Sequence, residues 1–142
     1  MRVTFPVTVH VFFIRYDMVL MLRRYNTGYE DGNYSVVAGH LDGDESIIEA
    51  AIREAWEEIG VQILPEHLKV VGVMHRKEED ERVDFFLVAS SWSGDPVNRE
   101  QDKCDEITWY SLGELPVNTI PYVRRALDNY QHKIWFDEFG WL

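Results

Sequence analysis

The chain has 142 residues and is strongly acidic, with 14 Lys and Arg against 25 Asp and Glu and a formal net charge of −11. Hydrophobic residues make up 46% and aromatic residues 13%, which allows a buried core and excludes intrinsic disorder. The acidic balance excludes a broad nucleic-acid or anionic-membrane surface, because either needs clustered Lys and Arg. The length fits a single domain, which we expect to span residues 1–142.

The cellular compartment is indicated by what the sequence lacks. Cys104 is the only cysteine, so no disulfide can form within the chain, and we expect it to be a small, partly buried thiol. No run reaches the roughly 18 apolar residues of a membrane span, because His10, Arg15 and Asp17 interrupt the most hydrophobic segment. A signal-peptide cleavage pattern is also missing. We therefore expect a cytoplasmic protein.

Stretches rich in β-branched and aromatic residues, bounded by turn-forming residues, predict strands along most of the chain. The predicted strands are Val7–Arg15, Met18–Arg23, Asn33–Val37, Leu68–His75, Val83–Ser90 and Ile107–Tyr110. The first two should form a hairpin, and the charged stretch Arg76–Arg82 should be a solvated turn. A helix is predicted near Tyr122–His132, just after Pro121. The class is mixed α and β.

A second helix, over Ile47–Ile59, is specified at both ends. Ser46 and Glu49 have the spacing of a capping box, and Gly60 can adopt the left-handed conformation that ends a helix. Small and apolar residues recur every four positions and predict one buried face. The limits of this helix are therefore well defined.

Three carboxylates of this helix, Glu54, Glu57 and Glu58, are spaced i, i+3 and i+4 and share one surface. Like charges in this arrangement repel unless they are solvated, neutralised in part by Arg53, or bridged by a hard divalent cation such as Mg²⁺. The helix alone leaves a solvated acidic face and a metal site equally open.

A longer motif surrounds these carboxylates. Gly39 is followed after five residues by Glu45, and after seven more by Arg53–Val61, which reads REAWEEIGV. This pattern matches the Nudix box at every constrained position, and the chain resembles a Nudix hydrolase. The resemblance implies an α/β/α sandwich with a mixed β-sheet. It also implies a pyrophosphatase that uses Mg²⁺ or Mn²⁺ to cleave a nucleoside diphosphate linked to another group.

The resemblance also assigns roles to residues of the box. The implied metal ligands are Glu54, Glu57, Glu58 and the backbone carbonyl of Ala38. Arg53 would orient these carboxylates and reach Glu45, and together with Glu54 and Glu57 it belongs to the implied catalytic set. Gly39 would allow a close backbone approach in the preceding loop.

The segment Trp92–Pro96 resembles the one that precedes a further acidic residue in MutT-type members. Glu100 is the first candidate, as a metal ligand or as the group that takes a proton from the attacking water. Asp102 or Asp105 could replace it if the loop register differs. All three could instead be solvated loop acids.

Candidates for substrate binding are less specific. Asn118, shortly before the last helix, resembles the asparagine with which MutT-type members contact an oxidised purine, and it could equally be a loop or cap residue. His40 could touch phosphate. Trp109, Tyr110 and Phe86 could stack on a base, but aromatic residues in strands usually pack inward.

The C-terminal segment Lys133–Leu142 concentrates four aromatic residues. We expect it to pack on its own domain, with a homodimer contact as the alternative.

The leading hypothesis is MutT-like hydrolysis of a nucleoside triphosphate to the monophosphate and pyrophosphate, with oxidised purine nucleotides as candidate substrates. ADP-ribose or a nucleotide sugar is the second substrate hypothesis. A non-catalytic nucleotide sensor with the same fold is the alternative from another class. The complete set of Glu54, Glu57 and Glu58 argues against the sensor, because it leaves the metal site chemically competent.

Overall fold

The computed structural model describes all residues from Met1 to Leu142. The elements are β1 (Val7–Arg15), β2 (Met18–Arg24), β3 (Tyr34–Ser35), β4 (Val37–His40), α1 (Ile47–Ile59), a 3-10 turn (Pro65–His67), β5 (Leu68–Lys77), β6 (Glu81–Ala89), β7 (Cys104–Ser111), α2 (Pro121–Gln131) and β8 (Phe136–Phe139). The strands form one mixed sheet in the order β3-β2-β1-β6-β5-β8, with β4 also paired to β1 and β7 to β2. No helix is long and apolar enough to span a membrane.

The central strand β1 shows why the sheet is mixed. It pairs antiparallel with β2 through a tight turn, in which Tyr16 and Asp17 both have positive φ. It also pairs antiparallel with β4 and parallel with β6. The predicted strand Asn33–Val37 is divided between β3, which pairs with β2, and β4, which pairs with β1. The chain changes neighbours at Val36, and a local pattern cannot reveal such a change.

The two helices cover opposite faces of the sheet. Val9, Val11 and Phe13 of β1 belong to the core cluster under α1, whereas Phe12 points to the other face and packs in the cluster under α2. This alternation is what a strand buried on both faces requires. Burying each such side chain stabilises the fold by roughly 1.5–3 kcal/mol. The predicted α/β/α sandwich is thereby confirmed.

The predicted solvated turn Arg76–Arg82 is wrong at both ends, because Arg76 and Lys77 belong to β5 and Glu81 and Arg82 belong to β6. Arg76 lies at the end of β5 and is only 5% exposed. Its Nε donates to Asp84 Oδ2 at 2.6 Å, and its Nη1 donates to Glu78 at 2.8 Å. The buried guanidinium is tolerated because these carboxylates compensate its charge. Asp84 comes from the neighbouring strand, so the pair depends on the hairpin register.

The C-terminal segment packs on its own domain, as expected. Strand β8 extends the sheet by pairing parallel with β5, and Trp141 Nε1 donates to the His75 carbonyl at 2.9 Å. Trp135 and Phe136 stay more than half exposed, at 57% and 54%. Pairing of two copies through these residues stays a prediction.

Candidate active site

The register of the helical carboxylates is set by the caps of α1. Ser46 Oγ accepts from the Glu49 amide at 3.1 Å, and Glu49 Oε1 accepts from the Ser46 amide at 2.8 Å. Gly60 ends the helix with φ 70°, a conformation that costs glycine little. The buried side of α1 is Ala50, Ala51, Ala55 and Ile59. The helix is therefore fixed in length and rotation.

Arg53 connects the helix to the loop before it. Its Nη2 and Nε donate to the two carboxylate oxygens of Glu45 at 2.7 and 3.0 Å. Its Nη1 donates to Glu54 at 2.7 Å and to Glu57 at 3.2 Å. The paired guanidinium lowers the pKa of Glu45 to about 2, because it stabilises the ionised form. One cation therefore joins three carboxylates.

The end of β4 approaches the same helix. The Ala38 amide donates to Glu58 Oε2 at 3.3 Å, and the His40 carbonyl accepts from Arg53 at 3.1 Å. Any Cβ at Gly39 would overlap the Glu54 carboxylate. A side chain at position 39 would therefore have to displace the Glu54 carboxylate, which lies directly against the backbone.

Glu100 is brought to these carboxylates by a tight turn. The amides of Lys103 and Cys104 both donate to the Glu100 carbonyl at 2.9 Å, and Asn98 Oδ1 accepts from the Glu100 amide at 3.0 Å. Asp105, an alternative candidate, instead pairs with Arg23 at 2.8 Å. The structure thus gathers Glu54, Glu57, Glu58 and Glu100, which we call the carboxylate cluster.

The carboxylate cluster carries more negative charge than the protein compensates. Burial, and next the charges of Glu54 and Glu100, raise the pKa of Glu58 well above its ordinary value. Burial likewise raises the pKa of Glu100, with Glu54 and Glu57 adding to the effect. Arg53 is the cation that pairs with Glu54 and Glu57. Such a site is improved electrostatically by an added cation.

The donor set fits a hard divalent cation, although the side chains are not preformed as a cage. No group of three or more His, Cys, Asp or Glu is arranged around one metal position, and Arg53 holds oxygens of Glu54 and Glu57. The available donors are nevertheless all oxygens, as Mg²⁺ and Mn²⁺ prefer. An added cation would stabilise the ionised form of the partly buried Glu58, whose pKa is raised by burial and by its neighbour Glu54.

The carboxylate cluster opens into a cleft of about 610 Å³, within the usual range for a small-molecule site. His40 lines this cleft next to the cluster and is exposed. Sequence reasoning missed three other lining residues: Arg24, Tyr29 and Lys103. These residues belong to loops or strand ends that carry no motif. The only local signal is the pair of turn glycines Gly28 and Gly32, which flank Tyr29 in the sequence.

The remaining substrate-binding candidates lie outside the cleft. Asn118 Nδ2 donates to the Gly32 carbonyl at 2.7 Å, so its side chain ties two loops together. Phe86 is buried in the core under α2. Trp109 stacks on Trp92 with ring centroids 6.1 Å apart, and Tyr110 lies edge-on to Tyr34. None of these candidates lines the cleft.

Cys104 lines the cleft but has the features of a structural thiol. Its side chain is buried, and Sγ donates to the Glu106 carbonyl at 3.3 Å. Burial raises the pKa of this thiol, so the nucleophilic thiolate is disfavoured.

The sequence of the domain matches one known family. A sequence model of the NUDIX domain matches residues 4–131. The chain belongs to the Nudix family. Members of this family of hydrolases generally use a divalent metal ion and act on small nucleotide-type substrates.

Individual relatives agree with this assignment. The protein named phosphatase NudJ from Escherichia coli K12 is 57% identical over 78 residues, which are 55% of this Nudix chain and 51% of the relative. NudJ of Shigella flexneri matches to the same extent. The chain thus spans about half the length of the curated relatives it matches.

Solved structures extend the likeness to nearly the whole fold. A MutT Nudix hydrolase from Burkholderia pseudomallei has a TM-score of 0.81 and 23% identity, covering 88% of this chain and 97% of that one. A Nudix hydrolase from Nitrosomonas europaea has a TM-score of 0.79 and 24% identity, covering 94% and 93%. An ADP compounds hydrolase has a TM-score of 0.73 and 21% identity, covering 93% and 74%. At these identities the likeness establishes the fold.

Proposed function

We propose that this chain hydrolyses a phosphoanhydride bond in a nucleoside diphosphate linked to another group, with Mg²⁺ or Mn²⁺ held by the carboxylate cluster. The observation that carries the proposal is the position of Glu54, Glu57, Glu58 and Glu100 at a cleft of about 610 Å³, with Arg53 bonded to two of them. A polyanionic substrate can approach these carboxylates only through bridging cations. The net charge of −11 is therefore compatible with this substrate class.

Each residue of the site has a defined task in this proposal. Glu54, Glu57, Glu58 and the carbonyl of Ala38 are the metal ligands. When bound, the metal ions activate water and offset the charge that develops on the phosphoryl oxygens. Arg53 keeps Glu54 and Glu57 oriented through its own anchor on Glu45.

Glu100 has one of two tasks at the edge of the cluster. It contributes a further ligand oxygen, or it accepts at a carboxylate oxygen the proton of the attacking water. The tight turn that holds its amide and carbonyl keeps Glu100 at the edge of the cluster, where either task is open to its carboxylate. His40, exposed next to the cluster, is our candidate for a contact to a substrate phosphate.

Nucleoside triphosphates are the substrates we favour. MutT-type proteins share the fold, and the size of the cleft suits a nucleotide. The feature that favoured oxidised purines, Asn118, lies outside the cleft lining, so we propose no preference for them. The name of the NudJ relative, a phosphatase, supports release of phosphate as an alternative to pyrophosphate. ADP-ribose and nucleotide sugars are the second substrate class.

The test is release of phosphate and pyrophosphate with Mg²⁺ from nucleoside triphosphates, ADP-ribose, nucleotide sugars and dinucleoside polyphosphates. Glu57→Gln removes a charged ligand with little change of shape. We expect kcat to fall at least about 100-fold, because losing even a partner of a metal ligand costs roughly 10- to 100-fold. Glu66→Gln, at an exposed acid outside the cleft, is the matched control. Metal binding without turnover of any substrate would support the sensor instead.

A further inference from the structure

The cleft contains an accessible aromatic ring without a task in the proposed chemistry. His10 and Tyr122 also line the cleft, but they are only 1% and 6% exposed and hydrogen bond to each other at 2.8 Å. Tyr29 is 38% exposed. Among the lining residues outside the carboxylate cluster and its neighbour His40, Tyr29 is the ring that a ligand can reach.

Tyr29 is held by an ordered loop between β2 and β3. Asp31 accepts from the Thr27 amide at 3.0 Å, the Thr27 hydroxyl at 2.6 Å and the Gly28 amide at 2.9 Å. Arg24 Nε donates to the Tyr29 carbonyl at 2.7 Å, and its guanidinium lies 5.2 Å from the centre of the Tyr29 ring. A ring fixed in this way loses little conformational entropy when a ligand stacks on it.

The charges near Tyr29 are suited to a phosphate chain. The cleft-lining residues Arg23, Arg76 and Arg82 each pair with an aspartate, whereas Arg24 and Lys103 have no carboxylate partner. Arg24 instead donates hydrogen bonds to the Tyr29 carbonyl and to the Thr27 hydroxyl. In an acidic protein, two such cations in one cleft favour an anionic ligand.

These residues follow one another from the carboxylate cluster towards the aromatic ring. Lys103 lies next to Glu100, because the Lys103 amide donates to the Glu100 carbonyl at 2.9 Å. The Lys103 carbonyl accepts from the Tyr25 amide at 2.9 Å, next to Arg24, and Arg24 contacts Tyr29. The order is thus carboxylates, two cations and an aromatic ring. A metal-bound polyphosphate that ends in a planar ring has the same order of groups.

We propose that Tyr29 stacks on a heteroaromatic ring of the substrate and that Arg24 is the positioning residue that holds it. This inference rests on the proposed function and deepens it, because it names the side chain that recognises the planar base of the substrate. Stacking reads the face of a base and not its hydrogen-bonding edge. The enzyme therefore accepts purine and pyrimidine nucleotides with similar KM values.

The experiment compares Tyr29→Ala, Tyr29→Leu and Tyr29→Phe with Tyr25→Ala, a tyrosine of the same loop that is 49% exposed and does not line the cleft. We expect the Ala and Leu variants to raise KM for a nucleoside triphosphate roughly 5- to 100-fold, the range implied by base stacking on aromatic side chains. Tyr29→Phe and Tyr25→Ala should keep the wild-type KM. Inorganic triphosphate, which lacks a ring, should show the same KM with every variant.

A binding measurement separates failure of this inference from failure of the proposed function. Calorimetry with a non-hydrolysable methylene analogue of a nucleoside triphosphate and Mg²⁺ needs no turnover, and far-UV circular dichroism checks folding. Weaker binding in Tyr29→Ala and Tyr29→Leu, restored in Tyr29→Phe, would support stacking even if wild type hydrolyses no nucleotide. The inference is overturned if wild type does not bind the analogue, if Tyr29→Ala behaves like Tyr25→Ala, or if inorganic triphosphate is affected equally.

Discussion

Two parts of the cleft are built in different ways. Glu54, Glu57 and Glu58 come from one helix, whose caps fix their positions relative to one another. Arg24, Tyr29 and Lys103, in contrast, come from a strand end and two loops that meet only in the folded chain. The spacing of residues on a helix can be read from the sequence, whereas contacts between distant loops cannot. The chemistry of the site was therefore predictable to a greater extent than its substrate recognition.

The largest effect is expected at Glu58, a partly buried carboxylate of α1. Glu58→Gln should lower kcat at least about 100-fold, since it removes a proposed metal ligand. The metal-free variant should be as stable as wild type or more stable by about 1 kcal/mol, because a neutral amide is easier to bury than a charge. Urea unfolding and steady-state kinetics measure the two effects. A variant that is active, or inactive because it is unfolded, would contradict the assignment.

His10 is a buried residue of the cleft lining. Its titration gives a pH-dependent test of how the cleft is built. Burial lowers its pKa from 6.5 to about 4, so between these values the unfolded chain takes up a proton that the folded chain refuses. Stability should therefore fall as the pH drops from 6.5 to about 4, by roughly 3 kcal/mol from this group. Below pH 4 the contribution of His10 should not change further.

The measurement is urea unfolding at several pH values of wild type and His10→Gln. The difference between the two proteins removes the titration of the other groups. His132→Gln, at an exposed histidine, is the control and should follow wild type. Equal pH dependence of wild type and His10→Gln would show that His10 is not buried in its neutral form.

The smallest expected effect concerns the cap that sets the helix register. Ser46→Ala removes the hydroxyl that accepts from the Glu49 amide and should lower the free energy of unfolding by about 1 kcal/mol. The packed face of α1 should still hold the helix in place, so kcat should stay close to wild type. If the variant is fully folded but has lost most of its activity, the cap and not the packed face of α1 determines the position of the carboxylates. Thermal unfolding together with the hydrolysis assay checks both outcomes.

The fold was predictable where local signals act alone. The bounds of α1 follow from its caps, and β1 from its hydrophobic run. The errors arise where a residue depends on a distant partner. Arg76 looked solvated because its partner Asp84 lies on the next strand, and one predicted strand is split because its two halves pair with different neighbours.

The candidate site divides in the same way. Spacing predicted that Glu54, Glu57 and Glu58 share one helix surface, and the resemblance to the Nudix box made them candidate metal ligands. Glu100 was a candidate because it follows the segment Trp92–Pro96. Asn118 has an amide that could contact a base, but it donates to the Gly32 carbonyl of another loop. The local sequence does not distinguish a base contact from a contact between loops. Tyr29 was missed because its loop borders the cleft only where it meets the loop of Lys103 in the folded chain.

The most direct test of the central claim is calorimetric titration of Mn²⁺ into wild type and Glu57→Gln, with hydrolysis measured on the same samples. We expect Mn²⁺ binding and turnover in wild type, with Mn²⁺ affinity at least about 10-fold weaker and turnover at least about 100-fold slower in the variant. Turnover that persists both in wild type treated with a chelator and in Glu57→Gln would contradict a metal held by these carboxylates.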